Sequence, residues 1–284
     1  MNDLSVKRVA VLGLGIIGSR ACSRLAGAGW QVTGWNRTPK GLPGEAGSPE
    51  AAAEGAAIIS IYLKDVPAVR EVVGRIGPFL KPGQTILNHA TVDLETTKWL
   101  DEICSERGCR FLDTPFTGSK VASAGGQLFY YVGGDAALAK ELESFLGVTG
   151  RGQLYCGDVG TATVLKLATN LISACTVQAM AESLALATHY GVSADCLIKA
   201  VSENASASGL TAMKFPLMAA GNYETHFSLA NMGKDSRYML ALSHAAGLET
   251  PAIEAVSKRM GELCDHGLGE LDFSVLAKPY LESL

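Results

Sequence analysis

The sequence predicts an α/β fold: a doubly wound, mostly parallel sheet, then one long helix, then an all-helical C-terminal part. Three observations carry this. Short apolar runs of strand length alternate with helical stretches over residues 7–156, the pattern of a parallel sheet wound on both faces. A Gly-x-Gly-x-x-Gly turn follows the first of those runs at once. Residues 163–190 contain neither Gly nor Pro, and no strand pattern survives beyond Gly191.

The first strand is predicted over 7–12 (KRVAVL), followed by Gly13-Leu14-Gly15-Ile16-Ile17-Gly18, a helix over 19–28 and a second strand over 31–35. With 32 glycines in 284 residues, the turn alone is weak. Strand, turn, helix and strand within about 30 residues is the dinucleotide-binding arrangement. Gly13 permits the tight turn, Gly15 lets the backbone approach a pyrophosphate, and Gly18 lets helix and strand pack closely. The diphosphate then sits on free N–H groups at the positive end of the helix. Without a ligand, the same stretch is a glycine-rich turn of an α/β fold.

The end of the second strand selects the cofactor. An NAD site places Asp or Glu there for the ribose 2′-hydroxyl; this chain has Asn36-Arg37-Thr38. No carboxylate repels a 2′-phosphate, Arg37 offers a planar fork and Thr38 a hydroxyl, so NADP (NADPH) is expected. The alternative is a solvated Arg in a loop.

Further strands are predicted over 57–62, 85–88, 110–113, 128–132 and 154–156, and a helix over 93–106. Ligands of such sheets lie beyond the carboxyl ends of the strands. This draws attention to Leu63, in a turn over 63–67 at the cofactor edge, to Thr91, and to Thr117, Gly118 and Ser119. Two hydroxyls and consecutive N–H groups around a glycine form a nest suited to a carboxylate, although the same residues also make ordinary turns.

The long helix is apolar nearly all round, which predicts that it is buried and runs through the molecule. Yet Lys166 and Asn170 leave the same face of it, four residues apart. Lys166 reaches solvent, pairs with a carboxylate, or lines a cleft holding an anionic or carbonyl ligand. Helices are predicted over 193–202, 210–219, 229–247 and 251–267. Lys234-Asp235 is compatible with a solvated pair of little energy.

Composition limits the function classes. Hydrophobic residues make up 48% and charged residues 18%, with a net charge of −4, enough for a sizeable core and without the basic surface of a nucleic-acid or anionic-membrane binder. The N-terminus carries no signal-peptide pattern, and the one long apolar stretch is dotted with polar residues, so no membrane role is expected. Seven scattered cysteines, odd in number and without metal-ligand spacing, fit reduced thiols in a cytoplasmic protein with no metal.

Four segments now stand in order: GLGIIG with NRT; DTPFTGSKVASAGGQL; the helix with Lys166-x-x-x-Asn170; and Phe227 followed by Lys234-Asp235. Together they resemble the β-hydroxyacid dehydrogenase family, related to 3-hydroxyisobutyrate dehydrogenase. Within it the resemblance is greatest to the glyoxylate/succinic semialdehyde reductase branch, with imine reductases more distant. The resemblance implies an NADP-binding Rossmann domain over 1–162, an interdomain helix over 163–191 and an all-helical domain over 192–284, assembled as a homodimer or homotetramer. It places the catalytic lysine on Lys166 and the orienting asparagine on Asn170. Thr117, Gly118 and Ser119 become the substrate-carboxylate segment, Phe227 and Asp235 shape the pocket, and Thr91 and Lys234 contact the cofactor. Gly13, Leu14, Gly15, Ile16, Ile17, Gly18, Asn36, Arg37, Thr38 and Leu63 complete the cofactor set. The implied activity is NADPH-dependent reduction of a small carboxylate-bearing aldehyde or 2-oxo acid. Imine reduction on the same scaffold and a non-catalytic NADP-binding adaptor are the rivals. The chain departs from the family pattern at Thr117, Ala162 and His89.

Overall fold

Eight strands form one sheet in the structure, a computed structural model that describes residues 8–281. They are β1 (Arg8–Leu12), β2 (Gln31–Trp35), β3 (Ile58–Ile61), β4 (Thr85–Asn88), β5 (Arg110–Asp113), β6 (Phe116–Thr117), β7 (Leu128–Gly134) and β8 (Gly150–Gly157). β2, β1, β3, β4 and β5 lie side by side and parallel. β7 then runs antiparallel to β5 and β6, and β8 pairs parallel with β7. The strand order reverses at β1, which places the glycine turn at the switch point where such sheets bind ligands.

Period-2 alternation explains why the strands read as unbroken apolar runs. Ala10 and Leu12 join Ile59, Ile61 and Ile86 in a core on one face, whereas Val9 and Val11 join Ile58, Leu87 and Leu112 on the other. Both faces are covered, so no polar phase is left. The turn expected over 63–67 stops sooner: Asp65 accepts the Ala68 N–H at 2.9 Å and caps a helix, Val66–Ile76, with Pro67 in its first turn.

The chain divides into two units, Met1–Lys166 and Leu167–Leu284. The second is built from helices Ala194–Ser202, Gly209–Ala219, Leu229–Ala245 and Pro251–Leu263. The last expected helix, over 251–267, is cut short because Gly267 takes a positive φ of 81° in a π-type turn, Cys264–Leu268. A buried 3-10 segment, Phe273–Ala277, that the sequence pattern did not reveal completes the core.

The long helix runs Thr161–His189, and here the expectation of all-round burial is wrong. Thr163, Leu167, Asn170, Ala174, Val177, Ala181 and Leu184 are buried at alternating steps of four and three, a single seam. Ile172 and Leu186 on other faces are 64% and 63% exposed. Its length and apolar content also suit a membrane span, but the seam from Leu167 to Leu184 packs into the helical core with Phe215, Met232 and Met260.

Candidate active site

The turn after β1 is fixed by main-chain sterics. Gly13 has φ +102°, and a Cβ there would stand 2.5 Å from the Tyr62 carbonyl oxygen. A Cβ on Gly18 would stand 1.9 Å from the Gly13 carbonyl oxygen and 3.2 Å from Tyr62 Cβ. A Cβ on Gly15, by contrast, would meet nothing within 4 Å. Gly15 is also the N-cap of the helix Ile16–Gly27, and no side chain caps that end. The chain thus leaves open space and main-chain donors where a pyrophosphate would lie, which fits a dinucleotide. Leu14 is buried, Ile17 half-buried and Ile16 exposed.

Asn36 ties this turn to the end of β2. Its Oδ1 accepts the Leu14 N–H at 2.9 Å and its Nδ2 donates to the Thr38 carbonyl at 2.7 Å, so it positions the turn. Arg37 and Thr38 are exposed, and Arg37 Nη2 pairs with Glu71 Oε2 at 2.7 Å. Leu63 Cδ2 lies 3.2 Å from where a Gly13 Cβ would be. Thr91 is half-buried after β4.

Beneath the turn lies a polar cluster that sequence reasoning did not assemble. His89 is buried and stacks on Tyr62, ring centroids 4.3 Å apart. Its Nδ1 lies 3.0 Å from the Thr114 carbonyl and hydroxyl oxygens. Burial pushes its pKa down to about 4, so the ring is neutral at pH 7. The Tyr62 and Tyr130 hydroxyls are 3.1 Å apart, and Tyr130 reaches Thr149 Oγ1 at 2.8 Å. The family departure at His89 is therefore a packing feature of the strand ends.

Thr117 closes β6 exposed; Gly118 has φ +126°, and Ser119 begins the helix Lys120–Ala124 without a side-chain cap bond. Arg24 braces this segment from behind: its Nε donates to the Val148 carbonyl at 2.8 Å and its Nη1 to the Ala124 carbonyl at 3.3 Å. Gly126 has φ +66°, and a Cβ on it would stand 2.3 Å from Arg24 Nη2, so glycine is favoured at that one position after the helix. The long helix begins with Ala162 fully buried, so the third departure is accommodated. Asp113, at the end of β5, accepts the Thr163 N–H at 2.7 Å and hydroxyl at 2.8 Å. Burial pushes its pKa up to about 7 against the pull of those two bonds. Lys166, three residues on, is half-buried.

In the second unit, Asn170 Nδ2 donates to Asp235 Oδ2 at 2.8 Å, and Lys234 Nζ lies 2.9 Å from Asp235 Oδ1. Asp235 is 1% exposed and the Lys234 side chain 13%. The pair is therefore buried, not solvated: Asp235 faces inward from the helix Leu229–Ala245, and the Lys234 ammonium lies 5.2 Å from the Tyr238 ring centre. Phe227 sits on a segment held by an unforeseen buried pair. Lys214 Nζ lies 2.6 Å from Asp272 Oδ1, while Asp272 Oδ2 accepts the His226 and Phe227 N–H groups, both at 3.1 Å. Burial alone would raise the Asp272 pKa, but Lys214 and the N–H donors outweigh it and hold it below the usual carboxylate range. Neither residue belongs to a motif or a periodic pattern; only a lysine among apolar neighbours (AMKFPLM) hinted at it.

The glycine cradle at the end of β1 is that of an NAD(P)-binding protein. Known proteins agree. A family model described as the NAD binding domain of 6-phosphogluconate dehydrogenase matches residues 8–160. Another, NAD-binding of NADP-dependent 3-hydroxyisobutyrate dehydrogenase, matches residues 160–280. The chain belongs to the β-hydroxyacid dehydrogenase family, the group of 3-hydroxyisobutyrate dehydrogenase and its relatives.

Glyoxylate/succinic semialdehyde reductase 1 of Arabidopsis thaliana is 32% identical over 278 residues, 94% of this chain and 96% of that protein. The chloroplastic reductase 2 of the same plant is 28% identical over 97% of this chain and 80% of that protein. The cytokine-like nuclear factor N-PAC of Mus musculus is 30% identical over 89% of this chain but only 47% of its own length. Among solved structures, Mycobacterium tuberculosis 3-hydroxyisobutyrate dehydrogenase with L-serine superposes with a TM-score of 0.89 at 22% identity, covering 96% of this chain and 98% of that one. A Streptomyces aurantiacus imine reductase gives 0.65 at 21%, covering 95% and 98%. At these identities the structural likeness is one of fold.

Proposed function

We propose that this chain is an NADPH-dependent reductase of short carboxylate-bearing aldehydes or 2-oxo acids, of the glyoxylate and succinic semialdehyde type, and of the corresponding hydroxyacids in reverse. The observation that carries this reading is the pairing of Lys166 and Asn170 on one face of one helix, with the Asn170 amide anchored by buried Asp235. A bound nicotinamide supplies the hydride for the carbonyl carbon. Lys166 donates a proton to the carbonyl oxygen as it gains negative charge, and solvent then reprotonates the amine. Asn170 orients the ammonium or the carbonyl without adding charge. The N–H groups and hydroxyls of Thr117, Gly118 and Ser119 take the substrate carboxylate, which fixes orientation and favours short acids. Phe227 shapes the pocket, Asp235 acts through Asn170 and Lys234, and Lys234 and Thr91 serve the cofactor. Arg37 and Thr38, with no acidic residue at the end of β2, support NADP over NAD. Free thiols at all seven cysteines support a cytoplasmic setting, and the outward Ile172 and Leu186 support a homodimer or homotetramer.

Lys166→Ala should abolish turnover while NADPH binding stays near wild type; loss of both contradicts the role. Initial rates with NADPH and NADH over glyoxylate, succinic semialdehyde, tartronate semialdehyde and a cyclic imine complete the test. Preference for the imine favours an imine reductase, and no cofactor oxidation on any carbonyl favours an adaptor.

A further inference from the structure

We propose that Asp113 is a positioning residue for Lys166: from the end of β5 it caps the long helix at Thr163 and so registers the lysine against the cofactor-bearing sheet. The inference rests on Lys166 being the general acid.

The first N–H groups of a helix need acceptors, usually from the side chain just before it. Here that position cannot supply one. Gly160 has φ +92°, and a Cβ on it would stand 2.5 Å from Leu94 Cδ1. The acceptor comes from 50 residues away instead: one oxygen of Asp113 takes both the N–H and the hydroxyl of Thr163. Thr97 Oγ1 holds the same hydroxyl from a second side at 2.8 Å. Asp113, Thr97 and Thr163 are all buried, so water does not compete for these bonds.

The consequence is geometric. A local cap ties a helix only to its own preceding loop, whereas this one ties it to the sheet. Asp113 pairs in register with Asn88 of β4, three residues before Thr91, and the glycine turn leaves the same end of β1, two strands beyond β4 in the sheet. Lys166 stands at i+3 from Thr163 on the same face, about 4.5 Å along the axis. A slip or rotation of the first turn is transmitted to the ammonium within a single turn of helix. Displacement of a reacting group by about 1 Å is worth up to about 10²-fold in rate.

The test compares Asp113→Ala, Thr163→Ala and Thr163→Ser with Lys166→Ala, using the full chain, NADPH and the best carbonyl substrate. Asp113→Ala should lower kcat about tenfold or more, and Thr163→Ala about threefold or more, with the Kd for NADPH within about twofold. Thr163→Ser, which keeps the hydroxyl, should restore kcat. The deuterium isotope effect on kcat with 4-deuterated NADPH should rise in the slow variants, because a misplaced acid slows the chemical step itself; a cap that only stabilises the fold moves the melting temperature and not the isotope effect. If Asp113→Ala does not fold, the Thr163 pair decides. A folded Thr163→Ala with wild-type kcat and isotope effect overturns the proposal. Full turnover in Lys166→Ala removes the functional reading beneath it; a dead Lys166→Ala beside normal Asp113 and Thr163 variants removes this inference alone.

Discussion

The two units hold their candidate residues by opposite means. In the first, the cofactor end is shaped by backbone: Gly13 and Gly18 are excluded volumes, and Gly15 is a vacancy beside capless N–H groups. In the second, positions are set by buried charge. Asn170 leans on Asp235, and the Phe227 segment hangs on Asp272, itself neutralised by Lys214. A backbone solution needs a residue type at a fixed local spacing. A charge solution needs partners 65 and 58 residues apart in the chain. The first leaves a trace in a sequence, and the second leaves almost none.

The largest effect separating them is at Lys214. Removing one partner of a buried ion pair strands the other charge, at a cost of about 3–5 kcal/mol. Lys214→Met should lower unfolding stability by that order in urea, and Lys214→Met with Asp272→Asn should recover part of it. A single-variant loss below about 1 kcal/mol would mean that the N–H donors of His226, Phe227 and Ser274 suffice for Asp272.

A smaller effect tests the backbone solution. Gly18→Ala forces a Cβ to 1.9 Å from a carbonyl oxygen, so it should cost about 1–3 kcal/mol of stability along with dinucleotide affinity. Gly15→Ala meets no protein atom; it should keep stability within about 1 kcal/mol and lose dinucleotide affinity alone. Equal NADPH affinity in Gly15→Ala and wild type, read by fluorescence titration, would remove the pyrophosphate from this turn.

Legibility in the sequence follows the same division. The five parallel strands, the glycine turn and the all-helical second unit could be read because periodicity and glycine spacing are local signals. The partial exposure of the long helix could not: composition is apolar all round, and only the seam from Thr163 to Leu184 shows which face packs inward. Lys234-Asp235 was compatible with a surface pair because adjacency in sequence says nothing about burial. Arg37 was visible as a cation, but its partner Glu71 belongs to the helix Val66–Ile76, which the sequence pattern did not reveal.

Even the first unit hides two buried titrating groups, and their opposite signs make them measurable. Asp113, raised to about 7, keeps a proton that the unfolded chain releases near pH 4, so its contribution falls as pH rises from about 4 to 7. His89, lowered to about 4, lacks a proton that the unfolded chain holds up to about 6.5, so its contribution rises over about pH 4–6.5. Each slope is at most about 1.4 kcal/mol per pH unit, and over the shared window they offset one another. His89→Phe, which keeps the stack on Tyr62, should therefore lose stability relative to wild type as pH rises from 4.5 to 6, and Asp113→Asn should gain. Parallel stability curves for variant and wild type would sink both assignments.

The smallest effect concerns Arg37, a candidate residue of the first unit that a charge holds. Arg37 and Glu71 are 66% and 49% exposed at 2.7 Å, so the pair itself is worth no more than about 1 kcal/mol. A 2′-phosphate carrying close to two negative charges competes with Glu71 for the same guanidinium and meets its repulsion. Glu71→Gln should tighten NADPH binding about two- to fivefold and leave NADH unchanged. The gain should shrink in 0.5 M salt, where charges this exposed are screened. Arg37→Ala should weaken NADPH and spare NADH. If Glu71→Gln leaves the NADPH Kd unchanged while Arg37→Ala raises it, Arg37 binds the phosphate from a position that Glu71 does not influence. If neither substitution distinguishes the two cofactors, the selection of NADP lies elsewhere than at the end of β2.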